Sequence, residues 1–261
     1  MKRYFIGVDN GGTMTKAAVF DAAGRQLASA GENTPQTCPQ PGWCDRDMEE
    51  LWMAAARCIR KALAAAGISP AEIAGVGCTG HGKGLYLWRR DGRPAAPGVA
   101  STDHRAAAVA AHWQTDGTAE KARAYTMQRV LDCQPAALLR WFRDNRPAVY
   151  ENIRWVFEAK DYLRFRLTGE AFAEYTDSSG TSLLNLHTRQ FDRELLRLYG
   201  IPEVWEALPP LRASADMCGR VTAEAAALTG IPAGTPVCGG MFGVDACAIG
   251  MEASDEGRLG A

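Results

Sequence analysis

Asp9, Gly11, Gly12, Thr13 and Lys16 sit together in Asp-Asn-Gly-Gly-Thr-Met-Thr-Lys, a set suited to phosphate and divalent-cation chemistry. Glycines let backbone N–H groups approach an anion without a side chain in the way. Thr13, Thr15 and Lys16 add hydroxyl and ammonium donors, and Asp9 can hold a metal ion or its water shell. Asn-Gly-Gly between apolar runs is equally what an ordinary hairpin turn with positive φ angles looks like. Neither a Walker loop nor a Gly-x-Gly-x-x-Gly fingerprint occurs, and a second β-prone run follows the glycines in place of a helix. Two further groups carry chemistry. Thr79-Gly-His-Gly-Lys-Gly84 puts His81 and Lys83 in a glycine-rich loop, a ligand edge on this reading. Ser101-Thr-Asp-His-Arg105 offers Asp103 and Arg105 either as a helix cap and a surface charge or as a grip on neighbouring sugar hydroxyls.

The elements that must hold these residues alternate in type. Runs at 4–8, 15–20 and 25–31 read as a three-stranded meander. After a proline-containing loop at 32–45, a helix over 48–66 is expected, with Asp47 and Glu50 as a capping pair, Leu51, Ala55, Cys58, Ile59 and Ala62 on one apolar face, and Gly67 as its stop. Strands at 73–78 and 85–89 flank the His81 loop, and Asp91-Gly92 turns the chain. An alanine-rich helix opens at 101–105 and runs to about 114. Short helices fill 118–152, with a loop around 133–135. A strand at 155–157 leads to a helix stopped by Gly169, a hydroxyl-rich strand and turn at 174–182, a helix near 192–199, a short capped helix at 222–228, and a turn plus strand at 232–240. No repeat or linker interrupts the pattern, so one continuous α/β domain is expected.

Composition narrows the classes. With 261 residues, 47% of them hydrophobic, a sizeable core is available, and a net charge of -1 leaves no basic footprint for nucleic acid. The N-terminal apolar run is too short for a signal peptide and no run of about 18 apolar residues occurs, so a cytoplasmic, non-membrane protein is expected. Eight cysteines without a Cys-x-x-Cys pair and four histidines without zinc spacing read as reduced structural thiols, with an oxidised Cys38–Cys44 pair as the alternative.

Asp9-x-Gly-Gly-Thr-x-x-Lys16 resembles the first phosphate-binding hairpin of the actin, Hsp70 and sugar-kinase superfamily. Together with Pro-Gly-Trp-Cys-Asp-Arg-Asp47, Gly-His-Gly-Lys-Gly-Leu85, Ser-Thr-Asp-His-Arg-Ala106, Lys-Asp-Tyr-Leu-Arg-Phe-Arg-Leu-Thr-Gly169, Tyr-Thr-Asp-Ser-Ser-Gly180 and Leu-Thr-Gly-Ile-Pro-Ala-Gly-Thr-Pro-Val237, it makes the chain similar to the N-terminal half of the FGGY carbohydrate kinases, nearest to L-xylulose kinases and related pentulose kinases. The resemblance implies a ribonuclease-H-like α/β domain, a mixed sheet with helices on both faces, over residues 1–261. The nucleotide-binding domain that should follow is expected to be absent after Ala261, and self-association through the surface left apolar is expected.

The implied activity is transfer of the γ-phosphoryl of ATP, with Mg²⁺, to a hydroxyl of a pentulose such as xylulose or ribulose. The resemblance assigns Gly11, Gly12, Thr13 and Lys16 to phosphates, Asp9 to the metal or its waters, and Asp103 and Arg105 to sugar hydroxyls. His81, Gly82 and Lys83 stand where related xylulose kinases line the sugar site with Gln-Met-His. The base, an aspartate seven residues before a glycine, falls on Gly243, which cannot accept a proton. Asp245, two residues on, is the best available base, or else a helix cap. The other reading is a catalytically inactive sugar-binding or regulatory relative.

Overall fold

The chain, described here by a computed structural model over residues 3–251, begins with the expected meander. Strands β1 (Tyr4–Asn10), β2 (Met14–Asp21) and β3 (Gln26–Asn33) pair antiparallel, with Asp9 opposite Lys16 and Asn10 opposite Thr15. The side-chain period of two sends Ile6, Val8, Ala17 and Val19 to one buried face. Gly11 and Gly12 are not at positive φ, so the β1–β2 connection is not the positive-φ turn expected. Gly11 is needed for another reason: a Cβ there would lie 2.9 Å from the Met14 carbonyl oxygen.

Helix α1 (Met48–Ala66) buries the five predicted apolar residues and ends at Gly67, φ 62°. Asp47 accepts from the Glu50 N–H at 3.0 Å, but the capping box is only half made, because the Glu50 carboxylate pairs with Arg57. Strand β4 (Ile73–Gly80) runs parallel to β1, bringing Thr79 beside Asp9. Strand β5 (Tyr86–Arg89) follows the His81 loop. Helices α2 (Ala107–Thr115), α3 (Thr118–Thr126) and α4 (Pro135–Asn145) come next. Helix α2 starts later than expected, since the Asp103 carboxylate accepts from the N–H groups of Arg105 and Cys44 and holds residues 101–105 in turns. Strand β6 (Ile153–Phe157) pairs antiparallel with β5, and α5 (Ala159–Thr168) ends at Gly169, φ 72°.

The expected strand at 174–182 is instead a short helix, α6 (Tyr175–Ser179), because Glu174 caps it by accepting from Thr176 and Asp177. Strand β7 (Met217–Arg220), α7 (Ala223–Thr229, capped by Thr222), β8 (Pro236–Cys238), β9 (Met241–Phe242) and α8 (Gly243–Gly250) complete the described chain. The main sheet is mixed, in the order β7-β8-β4-β1-β2-β3, with β9 also on β4.

Two buried cores share a wall. Helices α1, α5 and α7 pack on the Ile6–Val8 face of the sheet, while Leu85, Leu87, Trp113, Leu138, Leu139 and Phe142 belong to a second, largely helical core. Alternation along β5 and the residue before it explains the partition: Tyr86 belongs to the first core, Leu87 and the preceding Leu85 to the second. The other sheet face carries α8 at its carboxyl end and the turn at Ser214 and Ala215; between them lies an open apolar groove lined by Gly7, Ala18, Phe20, Gly77 and Cys238. All eight cysteines are free thiols, so the Cys38–Cys44 bond is not formed. No helix among the described residues is long and apolar enough to cross a membrane. The C-terminal Gly-Arg-Leu-Gly-Ala261 lies outside the described residues.

Candidate functional site

Strands β1 and β4, parallel and in register, deliver Asp9 and the loop after Gly80 to the same sheet edge. Arg46, fully buried, organises the hairpin there. Its guanidinium donates to the Gly12 carbonyl at 2.7 Å, to the Gly11 carbonyl at 3.3 Å and to Thr34 Oγ1 at 2.8 Å. In a trans peptide the N–H points opposite to its carbonyl, so holding these two carbonyls turns the N–H groups of Gly12 and Thr13 the other way. Neither N–H has a hydrogen-bond partner among the described residues, and a Cβ on Gly12 would meet nothing within 4 Å. That is an anion cradle in outline. Lys16 Nζ stands 3.9 Å from Asp9 Oδ2. Burial holds the Asp9 carboxyl above its ordinary pKa, against the opposing pull of Lys16.

The loop from β4 to β5 closes onto this hairpin. Asp9, Gly11, His81, Gly82, Lys83 and Gly243 border one cavity of about 620 Å³. Lys83 is held at φ 62° and Gly84 at φ 81°, and a Cβ at Gly84 would fall 2.3 Å from the Val99 carbonyl oxygen. A lysine in the left-handed region is a local strain of about 1 kcal/mol or more, retained where surrounding structure over-determines it. His81 Nε2 lies 2.8 Å from Tyr86 Oη, while Nδ1 is buried without a hydrogen-bond partner. Burial first, and the Arg46 charge second, push His81 down to about 4, so the ring is neutral at physiological pH.

Asp103 and Arg105 are placed differently from expectation. Asp103 is fully buried and its two oxygens accept from the Cys44 N–H, the Arg105 N–H and the Arg105 guanidinium. Arg105, expected either as a surface charge or on sugar hydroxyls, is 4% exposed, bridges Asp103 and Asp45, and stacks on Trp43 with its guanidinium carbon 4.4 Å from the ring centroid. Neither side chain borders the cavity; together they brace the Ser101 turn that does.

Asp245 is likewise turned away. Gly243, Val244, Ala246 and Cys247 of α8 border the cavity, and at about 100° per residue the helix puts 245 on the opposite side. Burial first, then the Glu174 charge, raise its pKa. Nor is it a cap, since the start of α8 has no side-chain cap hydrogen bond. Gly243 is required where it stands: a Cβ would lie 2.7 Å from the Gly80 carbonyl oxygen.

Beneath the cavity is a charged cluster that sequence reading missed. Lys160 Nζ, fully buried, lies 2.7 Å from Asp161 Oδ1, 3.0 Å from Asp177 Oδ2 and 3.3 Å from Glu174 Oε2, and Arg164 meets Asp161 at 2.8 Å. Buried Glu158 adds a fourth carboxylate, so four acids face two cations. Burial first, with Asp161 and Glu174 adding to it against Lys160, pushes Asp177 up to about 7; burial and the Asp177 charge raise Glu158 well above the carboxylate range.

A carboxyl whose folded pKa is raised keeps a proton that the unfolded chain releases, so its contribution is full below pH ~4 and is lost as pH rises through about 7. Neutral His81, pushed down to about 4, acts in the opposite sense as pH rises to 6.5, so the readout is the difference between the two proteins: relative to wild type, Asp177→Asn is expected to gain at least about 1 kcal/mol between pH 5 and 8. Denaturant melts at both pH values check this; an unchanged slope in Asp177→Asn would place the raised pKa elsewhere.

The N-terminal-domain model of the FGGY family of carbohydrate kinases matches residues 4–250. Among curated proteins the chain is 40% identical to an L-xylulose/3-keto-L-gulonate kinase of Escherichia coli, over all of this chain and 52% of that protein. It is 38% identical to a probable L-xylulose kinase of Pasteurella multocida, over 99% of this chain and 53% of that one. A xylulose kinase structure from Rhodospirillum rubrum superposes with TM-score 0.91 at 30% identity, covering 98% of this chain and 52% of that chain. The chain thus spans about half the length of the relatives it matches.

Proposed function

Because this chain belongs to the FGGY family of carbohydrate kinases, we propose that it is the sugar-binding half of a kinase that transfers the γ-phosphoryl of ATP to a hydroxyl of a pentulose such as xylulose or ribulose. The observation that carries the reading is that Asp9 and Gly11 of the hairpin and the His81–Lys83 loop, some 70 residues apart in sequence, border one cavity, with Lys16 on the adjoining sheet-face groove. Phosphoryl transfer asks for positioning and charge neutralisation more than covalent chemistry. The phosphorus bond to the leaving ADP oxygen breaks, a bond to the sugar oxygen forms, and the hydroxyl's proton passes to solvent water.

In this reading Gly11, Gly12, Thr13 and Lys16 receive the phosphates, with the Gly12 and Thr13 N–H groups turned outward by Arg46. Asp9, among the described residues the sole acidic side chain bordering the cavity, would hold a Mg²⁺ ion directly or through its waters. Bound there, Mg²⁺ would neutralise charge on the transferring group. His81 and Lys83 meet sugar hydroxyls as a neutral imidazole and an ammonium donor, and Asp103 with Arg105 holds the neighbouring turn. Eight free thiols suit a reducing, cytoplasmic setting, and the open apolar sheet face supports self-association.

A second reading rests on Gly243 and Asp245. With glycine at the base position and Asp245 facing Glu174, the chain would bind sugar without turning it over. Calorimetric titration with xylulose and ribulose, and separately with Mg-ATP, tests both. Pentulose binding is expected, and Asp9→Asn is expected to weaken Mg-ATP binding roughly 10–100-fold while sparing the sugar. A folded chain that binds no pentulose would overturn the sugar-site reading. Sugar-dependent release of ADP would remove the second one.

A further inference from the structure

Gly82 and Phe242 fit each other. A Cβ on Gly82 would fall 2.3 Å from Phe242 Cε2, 2.7 Å from Cδ2 and 2.9 Å from Cζ, so the ring occupies the volume that any side chain at position 82 would need. Both residues border the cavity that also holds His81 and Lys83.

The backbone that carries the ring is fixed on two sides. The Phe242 N–H donates to Thr176 Oγ1 at 2.8 Å, and that hydroxyl donates to Glu174 Oε2 at 2.6 Å. Glu174 is fixed in turn by Lys160 and by its capping of α6. On its other side the segment is pressed against β4: Met241 and Phe242 pair with Thr79 and Gly80, and the Cβ positions of Gly240 and Gly243 lie 2.1 and 2.7 Å from carbonyl oxygens of that strand. A side chain whose backbone is held by strand pairing and by hydrogen bonds one layer out is what a selective wall requires.

We propose that Phe242 is a specificity-determining residue, its ring admitted by Gly82 to form the apolar wall against which the C–H face of the substrate packs, limiting the site to short ketoses. The inference rests on the sugar-site reading above and adds a residue that neither the hairpin nor the His81 loop supplies. The chemistry is that of an aromatic face, which offers an apolar surface to a carbon chain whose hydroxyls point away toward His81 and Lys83.

The test measures calorimetric affinities for a pentulose (xylulose) and a hexulose (fructose) in the wild type, Phe242→Ala and Phe242→Leu, with melting temperatures alongside. The wild type should prefer xylulose. Phe242→Ala should lose roughly tenfold in xylulose affinity and narrow the xylulose-to-fructose ratio by roughly tenfold or more, the discrimination a hydrophobic pocket derives from one or two carbons. Phe242→Leu guards against a variant that fails to fold. A second arm compares Gly82→Ala with Gly82→Ala/Phe242→Ala: the single variant should melt early and the double should recover, because shared volume makes the two changes non-additive.

An unchanged ratio with intact xylulose binding, or affinities for both sugars lowered in equal proportion, would overturn the proposal while leaving the sugar site standing. Additive melting shifts at 82 and 242 would remove its structural basis. A wild type that binds neither sugar would sink the sugar-site reading itself, and this inference with it.

Discussion

Lys160→Ala is expected to lower the melting temperature by roughly 6–20 °C, the largest effect of any single side-chain truncation we foresee. Removing one partner from a buried ion cluster costs about 3–5 kcal/mol, and each kcal/mol moves a domain of this size by about 2–4 °C. The reason is local. Lys160 is fully buried and its ammonium is shared by Asp161, Glu174 and Asp177, which no water can reach to compensate. The loss should depend on pH in a definite direction. At pH 5, with Asp177 and Glu158 protonated, the variant leaves fewer uncompensated charges; at pH 8 it leaves more, so the deficit should widen. Thermal melts at both values read this out. A shift under about 2 °C at pH 8 would mean that the carboxylates find other partners and that the cluster does not brace Glu174, Thr176 and Phe242.

Gly240→Ala should be nearly as damaging by an unrelated mechanism. Gly240 sits at φ 75°, where an alanine costs about 1–2 kcal/mol, and its Cβ would lie 2.1 Å from the Cys78 carbonyl oxygen. That overlap is with backbone and cannot be relieved by rotating a side chain. Either β9 lifts from β4 or the strand bends, and a loss above about 3 kcal/mol is expected, in the range reserved for named structural failures. The site should go with it, because β9 carries Phe242 and leads directly into Gly243. Gly12→Ala is the control: it is not at positive φ and faces open space, so its melting temperature should move by no more than about 1–2 °C. Equal melting temperatures for the two variants would show that the Gly240 contact is relaxed at little cost.

Much of the scaffold was legible in the chain because the signals were local. The β1–β2 hairpin and α1 declare themselves within short contiguous stretches, through period-two and period-3.6 burial and through the Asp47 cap and Gly67 stop. The candidate phosphate and sugar segments were readable for the same reason, as compact runs of glycine, hydroxyl and charge. Illegible were the side chains whose meaning depends on distant partners. Lys160, Asp161 and Arg164 look like an ordinary solvated pattern on a helix; only the fold brings Glu174 and Asp177 to them, and Gly239 to Arg164 across 75 residues. Arg105 reads equally as a surface charge or as a grip on sugar hydroxyls, and only the fold shows Asp45 and Trp43 closing over it.

What the sequence by itself determined was the family, the strand and helix alphabet of the scaffold, and the two segments that meet at the candidate site, since each is written in contiguous residue types. The tertiary structure alone decided which of the nominated side chains reach that site. Asp9, His81 and Lys83 do, because β1 and β4 are parallel neighbours ending at one edge. Asp103 and Arg105 do not, because their own hydrogen bonds absorb them. Asp245 points away through helical phase, and Phe242 becomes a wall only because Gly82, 160 residues earlier, leaves it room. Chain chemistry is local, whereas burial, phase and contact are properties of the packed whole, and function at this site depends on both.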